Sequence, residues 1–494
     1  MTKRLLIIFA VSLFFVVTDA FAETTPKAKN VILFIGDGMG FNSDLAGTYY
    51  RYGEAKKQSY HAFPVHVGCT TYSLGEEEEK EGEHEEEVEI LDYNPEVFWQ
   101  PFPNDDQYRV EYTDSAAAST AIHGGTKTLD GKVGMDAHNK PVELISEIAV
   151  KTGRKAGCVT SDLISRATPA AFAAHFADRG DLDTIFNQMI GRRSPLSVVM
   201  GGGQTYYAGD LAWYGESNKP KIDRQKWFFG VGYEAIWAKR KDGTVNGFAV
   251  INTKKQFEKL ASVKSGAGLP SKVIGIVHCG ITVPPVDGSL DDIEETQKMF
   301  KSEYPRVNID EVPDLATMSL GAINVLTRNN NKGFVLMIEG GAIDHANHGH
   351  NIKKSVIEHT GFSKAIDAIV QWVETKSSWD ETLVIVTADH ETGGLWGADT
   401  FQDSNDNGVF DKDDVFNDFT QIENTGRGNI PKVQYARWIH TNGLVPLYAK
   451  GPGSELFLKR IKGNDPKAAD YWKFSGDYVD NTDIFHVMKA VIVP

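Results

Sequence analysis

Five short apolar runs, each stopping abruptly at a small, polar or acidic residue, limit what this chain can become. Val31–Ile35 stops at Gly36-Asp37-Gly38, Ala156–Val159 at Thr160-Ser161-Asp162, and Val198–Met200 at Gly201-Gly202-Gly203. Phe334–Ile338 stops at Glu339-Gly340-Gly341, and Leu383–Val386 at Thr387-Ala388-Asp389-His390. Runs that are apolar at every position, rather than at every second one, suit strands buried on both faces. That means a mainly parallel sheet between helices. Helical spacing occupies the intervals. Phe362, Ile366, Ile369, Val370 and Val373 share one face, and Leu315, Met318, Ala322 and Val325 follow Pro313-Asp314 as a start signal. The alternation predicts an α/β, doubly wound fold: a mainly parallel central sheet with helices on both faces. Ligands of such sheets bind beyond the carboxyl ends of the strands, where this chain carries Asp37, Glu339, Asp389 and His390.

With 494 residues and 41% apolar content, the chain can bury a large core. Its net charge of −16 argues against nucleic acid as a partner, since a phosphate backbone demands clustered Lys and Arg. A small anion needs only a local positive site. Lys3 and Arg4, the apolar stretch Leu5–Val17 and Ala20-Phe21-Ala22 read as a secretory signal peptide cut after Ala22. The product is then exported, periplasmic or secreted, with residues 23–494 as one catalytic unit. The leader is too short for a comfortable membrane span, and no later stretch is long and apolar enough for one.

Two segments interrupt the pattern. Residues 75–90 hold a glutamate run whose like charges repel, which predicts a solvated acidic insertion, with loose cation collection as the functional alternative. Residues 204–310, rich in Trp, Tyr and Lys, read as an accessory insertion. Cys69, Cys158 and Cys279 are too few for a disulfide framework, and whether one bridge forms stays open.

Several carboxylates along one sheet edge repel each other, and divalent cations are the simplest offset. Asp344 and His348 stand at i, i+4, so one helical turn puts both on the same face. Asp389-His390 supplies a second oxygen–nitrogen pair and His440 a third imidazole. Any one of these alone is more often a hydrogen-bonded histidine. Together, without cysteine ligands, they fit a multinuclear catalytic zinc site rather than a structural finger. In Thr113-Asp114-Ser115-Ala116-Ala117-Ala118, either Asp114 or Ser115 can be a plain helix N-cap. Alternatively, Ser115 is a nucleophile whose alkoxide the helix N-terminus favours. No base adjoins it in sequence, so activation would come from metal.

The collinear set Ile35–Gly40, Thr113–Ala116, Ala167–Ala171, Met200–Gly203, Glu339–His345, Thr387–His390, His440-Thr441 and Asp480–Phe485 resembles the alkaline phosphatase family from about residue 29 to 490. The resemblance implies that Ser115 becomes phosphoserine. Asp344, His348 and His440 would hold one zinc, and Asp37, Asp389 and His390 a second, with Ser115 as its fourth ligand. Asp37 would also reach a magnesium site completed by Thr168 and Glu339, and Arg179 would clamp the phosphate of small monoester substrates. A homodimer is implied as well. Two divalent ions about 4 Å apart can stabilise the attacking and the leaving oxygen of an in-line displacement. Bidentate recognition of phosphate suits Arg rather than Lys. The chain departs from the family at Arg166, where members usually carry Asp or His near the magnesium. A fixed positive charge there would weaken that third metal site or partly replace its charge, while His345 keeps a family-like histidine.

Asp403, Asn405, Asn407, Val409, Asp411 and Asp414 fall at positions 1, 3, 5, 7, 9 and 12 of a loop with Gly408 at 6. That is calcium-loop spacing ending in Asp, although acidic Asn/Gly loops also occur as plain turns. Calcium there would pin the segment leading to His440. A phosphodiesterase or sulfatase of the same superfamily is the rival enzyme. A non-catalytic exported metal- or phosphate-binding protein is the rival of a different class, but it leaves Ser115 and Arg179 without a purpose.

Overall fold

The computed structural model describes residues 26–75, 92–101, 112–203, 243–263, 268–277, 312–404, 410–411 and 413–494. The expected leader, the glutamate run, most of the 204–310 segment, Cys279, and Asn405, Asn407 and Val409 lie outside the described residues.

Eighteen strands are described. β1 is Asn30–Gly36, β2 Val65–Thr70, β3 Lys155–Leu163, β4 Leu196–Gly202, β5 Thr244–Val245, β6 Phe248–Ile251, β7 Val273–Val277, β8 Phe334–Gly340 and β9 Thr382–Thr387. The later ones are β10 Glu391–Thr392, β11 Leu395–Gly397, β12 Phe401–Gln402, β13 Val415–Phe416, β14 Val433–Tyr435, β15 His440–Thr441, β16 Val445–Lys450, β17 Gly463–Asn464 and β18 Asp477–Asp480. Twelve of them form one sheet in the order β17-β18-β2-β16-β9-β1-β8-β3-β4-β7-β6-β5. Its centre, β9 through β6, is parallel, and β16 is antiparallel to both of its neighbours.

The five apolar runs all became strands of this sheet, and all five lie side by side at its centre, in the order β9-β1-β8-β3-β4. Every residue of β1, β8 and β9 is buried, as continuous hydrophobic runs require when both faces are covered. The helix Ile352–Lys376 turns Phe362, Ile366, Ile369 and Val373 inward, and Phe362 meets Phe34 of β1 edge-on at 5.9 Å. The helix Leu315–Thr327 starts at Asp314, whose carboxylate caps Thr317 N. The described part of the 204–310 segment supplies β5, β6 and β7, which continue the sheet at one edge. Cys69 and Cys158 are free and buried in β2 and β3.

Parallel register sets the site. Ile35 is level with Glu339 on one side and Thr387 on the other, and Thr160 is level with Glu339. Side chains far apart in sequence therefore leave the sheet at one height.

Candidate active site

Asp37 follows β1 in a turn where Gly38 takes φ +71°. A Cβ there would lie 2.7 Å from the Asp344 backbone and 2.8 Å from Thr392 Oγ1, so only glycine lets the turn approach this closely. Asp389, just past β9, accepts from Gly38 N and His390 N through Oδ1 at 3.2 and 3.0 Å. Glu339 is fully buried in β8. Asp37 Oδ1, Asp389 Oδ2 and both Glu339 carboxylate oxygens are buried and accept no hydrogen bond. Burial first, and mutual repulsion second, raise the affinity of all three for protons. Glu339 is pushed up to about 8 and Asp389 to about 7, and Asp37 rises well above its usual range.

The predicted i, i+4 pair is realised on the helix Ala342–His348. His348 Nε2 lies 3.3 Å and His440 Nε2 3.6 Å from Asp344 Oδ1, and the two Nε2 atoms are 3.1 Å apart. His348 Nδ1 donates to Trp438 O at 2.6 Å and His440 Nδ1 to Thr113 O at 2.7 Å. Thr392 Oγ1 donates to Asp344 at 2.6 Å, so its contact with His390 Nδ1 at 3.2 Å makes that nitrogen a donor too. In the neutral form of each ring this network fixes one tautomer: N–H outward, Nε2 lone pair inward. His390 Nε2 lies 3.3 Å from Asp389 Oδ2, 3.6 Å from Asp37 Oδ1 and 3.1 Å from Ser115 Oγ. Burial, together with neighbouring His440, keeps His390 neutral.

Ser115 is the first residue of the helix Ser115–Gly124, and Asp114 is its N-cap, accepting from Ala117 N at 2.8 Å. The capping role thus falls to Asp114, leaving the Ser115 hydroxyl directed at His390. Asp114 Oδ2 also takes Gly131 N at 3.0 Å and Arg179 Nη1 at 2.7 Å. Arg179 is not spent on Asp178 or Asp181; it is held beside the serine by the serine's own cap. Thr168 Oγ1 donates to Asp37 Oδ2 at 3.4 Å.

Asp162 was overlooked as a site residue. It is buried near the end of β3, hydrogen-bonds His345 Nε2 at 2.9 Å and lies at ion-pair distance, 3.5 Å, from Arg166 Nε. Arg166 therefore does not face the strand-end carboxylates as an unbalanced charge, because Asp162 stands against it. The overlooked signal was the same polar stop after an apolar run. In the 403–414 loop, Asp414 is buried and accepts from Ser404 N at 2.7 Å and Asp411 N at 2.9 Å, while Asp403 stands where β12 ends. The loop's described ends flank the paired β12 and β13.

Two sets of side chains bring ligand atoms within 4.8 Å of one another: Asp344, His348 and His440, and Asp37, Asp344 and His390. Inward lone pairs from three imidazoles, facing carboxylate oxygens that accept nothing, form a donor set suited to divalent cations, zinc in particular.

Comparison with known proteins agrees. The family model for alkaline phosphatase matches residues 28–420. Alkaline phosphatase 4 of Bacillus subtilis is 28% identical over 76% of this chain, which spans 64% of that protein's length. Alkaline phosphatase of Escherichia coli is 27% identical over 94% of this chain and 86% of its own. The solved alkaline phosphatase from the Antarctic bacterium TAB5 covers 95% of this chain and 99% of its own at 23% identity and a TM-score of 0.57. The cold-active enzyme from Shewanella covers 94% and 100% at 21% identity and a TM-score of 0.59. These two show a common fold.

Proposed function

The chain belongs to the alkaline phosphatase family, and from that premise we propose that it hydrolyses phosphate monoesters through a covalent phosphoserine at Ser115. The observation that supports this most is Ser115 Oγ at 3.1 Å from His390 Nε2, among buried carboxylate oxygens with no donor.

Asp344, His348 and His440 would hold one zinc; Asp37, Asp389 and His390 a second; Asp37, Thr168 and Glu339 a magnesium. Bound there, such ions would lower the pKa of a hydroxyl or water and neutralise charge on transferring phosphoryl oxygens. The chain's own groups do the rest. Asp114 caps the helix and fixes Ser115 at its positive end. The same carboxylate holds Arg179 through Nη1, which leaves the other guanidinium N–H groups to grip two phosphate oxygens. Ser115 Oγ attacks phosphorus, the bond to the ester oxygen breaks, and the alcohol leaves with a proton. Water then attacks phosphoserine, the Oγ–P bond breaks, and inorganic phosphate departs. His345 and Arg166 act on the magnesium position through Asp162.

The same reading takes residues 23–494 as one exported unit after cleavage near Ala22, acting as a homodimer, with calcium in the 403–414 loop. No described helix is long and apolar enough to cross a membrane. The test compares an aryl phosphate monoester, a diester and a sulfate ester, with and without chelator. Acid quench and mass spectrometry then locate the phosphate. Chelator-sensitive monoester turnover with phosphate on Ser115 is expected. Preference for the diester or sulfate, or full activity in Ser115→Ala, overturns the proposal.

A further inference from the structure

The short ribbon of β10 and β15 has two faces, and only one of them looks at the strand ends. Thr392 stands opposite His440, and Glu391 opposite Thr441. Residues directly opposed in an antiparallel pair share a face. Thr392 and His440 reach Asp344, so Glu391 and Thr441, joined at 2.6 Å, point away from it.

On that reverse face lies a cavity of about 460 Å³. Phe41, Phe98, Trp396, Leu444 and Trp472 give it apolar walls; Arg437, Glu391 and also His440 share its lining, so His440 stands between the cavity and the strand-end centre. The volume is ordinary for a small-molecule site.

Its walls are latched by hydrogen bonds rather than merely collapsed together. Asp465 is fully buried. It takes Tyr93 Oη at 2.6 Å and Trp99 Nε1 at 2.8 Å, fixing the 92–99 wall to the helix Pro466–Trp472 that it also caps. Trp472 Nε1 donates to Asn42 Oδ1 at 2.9 Å, and Asn42 Nδ2 to Leu395 O at 2.7 Å. Phe41 stacks on Trp472 at 4.7 Å.

The charges in the pocket are unequal. Glu391 is engaged by Thr441 and by the backbone N–H groups of Gly394 and Leu395. Asp92 lies exposed at the mouth, with Oδ1 on Tyr93 N. Arg437 is partly withdrawn from water; its guanidinium hydrogen-bonds to no described residue, and the Glu391 charge, already engaged by its own donors, offsets only part of that desolvation. A desolvated cation beside aromatic walls calls for a flat molecule with a negative group.

We propose that this cavity is a second ligand site, adjoining the strand-end centre across His440, that binds a flat aromatic molecule carrying a carboxylate through stacking and pairing with Arg437. The site shares only His440 with the groups of the phosphatase reading, and none of those groups pairs with Arg437.

Calorimetric titration of the full chain with 2-naphthoate and with its neutral counterpart 2-naphthalenemethanol tests it. The acid should bind at least tenfold more tightly than the alcohol. Arg437→Gln should weaken the acid at least tenfold while leaving the alcohol and aryl monoester turnover unchanged. Saturating inorganic phosphate should not displace the acid. Equal binding of acid and alcohol, an unchanged affinity in Arg437→Gln, displacement by phosphate, or no heat up to about 1 mM acid overturns the proposal. Should Arg437→Gln fold poorly, the acid–alcohol comparison in the unaltered chain decides alone.

Discussion

Two buried carboxylate centres lie in this molecule, and they are built in opposite ways. Asp44, on the helix Phe41–Tyr52, receives Tyr60 Oη at 2.6 Å and His359 Nε2 at 3.1 Å on Oδ1. Its Oδ2 receives His61 Nε2 at 2.8 Å and Tyr448 Oη at 3.1 Å. Burial would raise its pKa, but His61 and His359 outweigh that and hold it well below the usual range. At the strand ends, Asp37, Glu339 and Asp389 are just as buried, yet oxygens on each go without a donor and their proton affinity rises. Where the chain supplies donors, a buried carboxylate braces packed elements. Where it withholds them, the charge is left for something the chain does not contain.

The contrast can be broken or sharpened by experiment. The largest effect separates chemistry from stability. Ser115→Ala should lower turnover of an aryl monoester at least about a thousandfold. Its melting temperature should stay within a couple of degrees, since the hydroxyl's only described partner is His390. A variant that keeps a tenth of the activity would remove Ser115 from the chemistry.

Next come the carboxylates themselves. Asp44→Asn should cost about 3 kcal/mol in urea unfolding, because it strands donors arranged around a charge. In metal-free protein, Glu339→Gln should cost nothing or stabilise. Equal losses in the two variants would show that the two centres do not differ.

Metal should act on one centre only. Zinc at a hundredfold excess over its Kd should stabilise the protein by about 2.7 kcal/mol per site, and chelation should reverse this. Asp389→Asn should lose most of that gain and Asp44→Asn none of it, as read by thermal shift.

The smallest effect is in the slopes with pH, and these carry opposite signs. Asp44 has a depressed folded pKa, so its contribution is whole above the unfolded value of about 4 and is lost as pH falls through the folded one. Glu339 in metal-free protein has a raised folded pKa. The folded state then holds the extra proton, and stability falls as pH rises from about 4.3 toward the folded value, by up to about 1.4 kcal/mol per unit. Urea midpoints for metal-free protein and for its Glu339→Gln variant should show the second slope flattened. Parallel slopes would contradict the assignment.

Much of this architecture was legible because the signal was local. An apolar run with a polar stop marks both a buried strand and the crevice beyond it, so β1, β3, β4, β8 and β9 could be read together with Asp37, Glu339 and Asp389. The i, i+4 spacing of Asp344 and His348 carried its own geometry. What escaped is set by partners distant in sequence. Asp44 is an ordinary helix residue until Tyr60, His359 and Tyr448 close around it. Asp162 ends a run like the others, yet only the fold shows it between Arg166 and His345. β7 is a plain strand run, Val273–Val277, obscured by the Lys- and Trp-rich sequence around it. The reverse-face cavity takes its walls from both ends of the chain, which no window on the sequence brings together.

The earliest described strand, β1, sits in the middle of the sheet, and both of its neighbours belong to the last third of the chain. Such non-local pairing makes for slow assembly. A nascent chain emerging from its N-terminus therefore offers Asp37 without the histidines that would face it. Ions bound at the proposed sites would be acquired last, after His440 has taken its place. Premature trapping of the wrong ion on a half-made chain would thereby be hindered by the order of the strands.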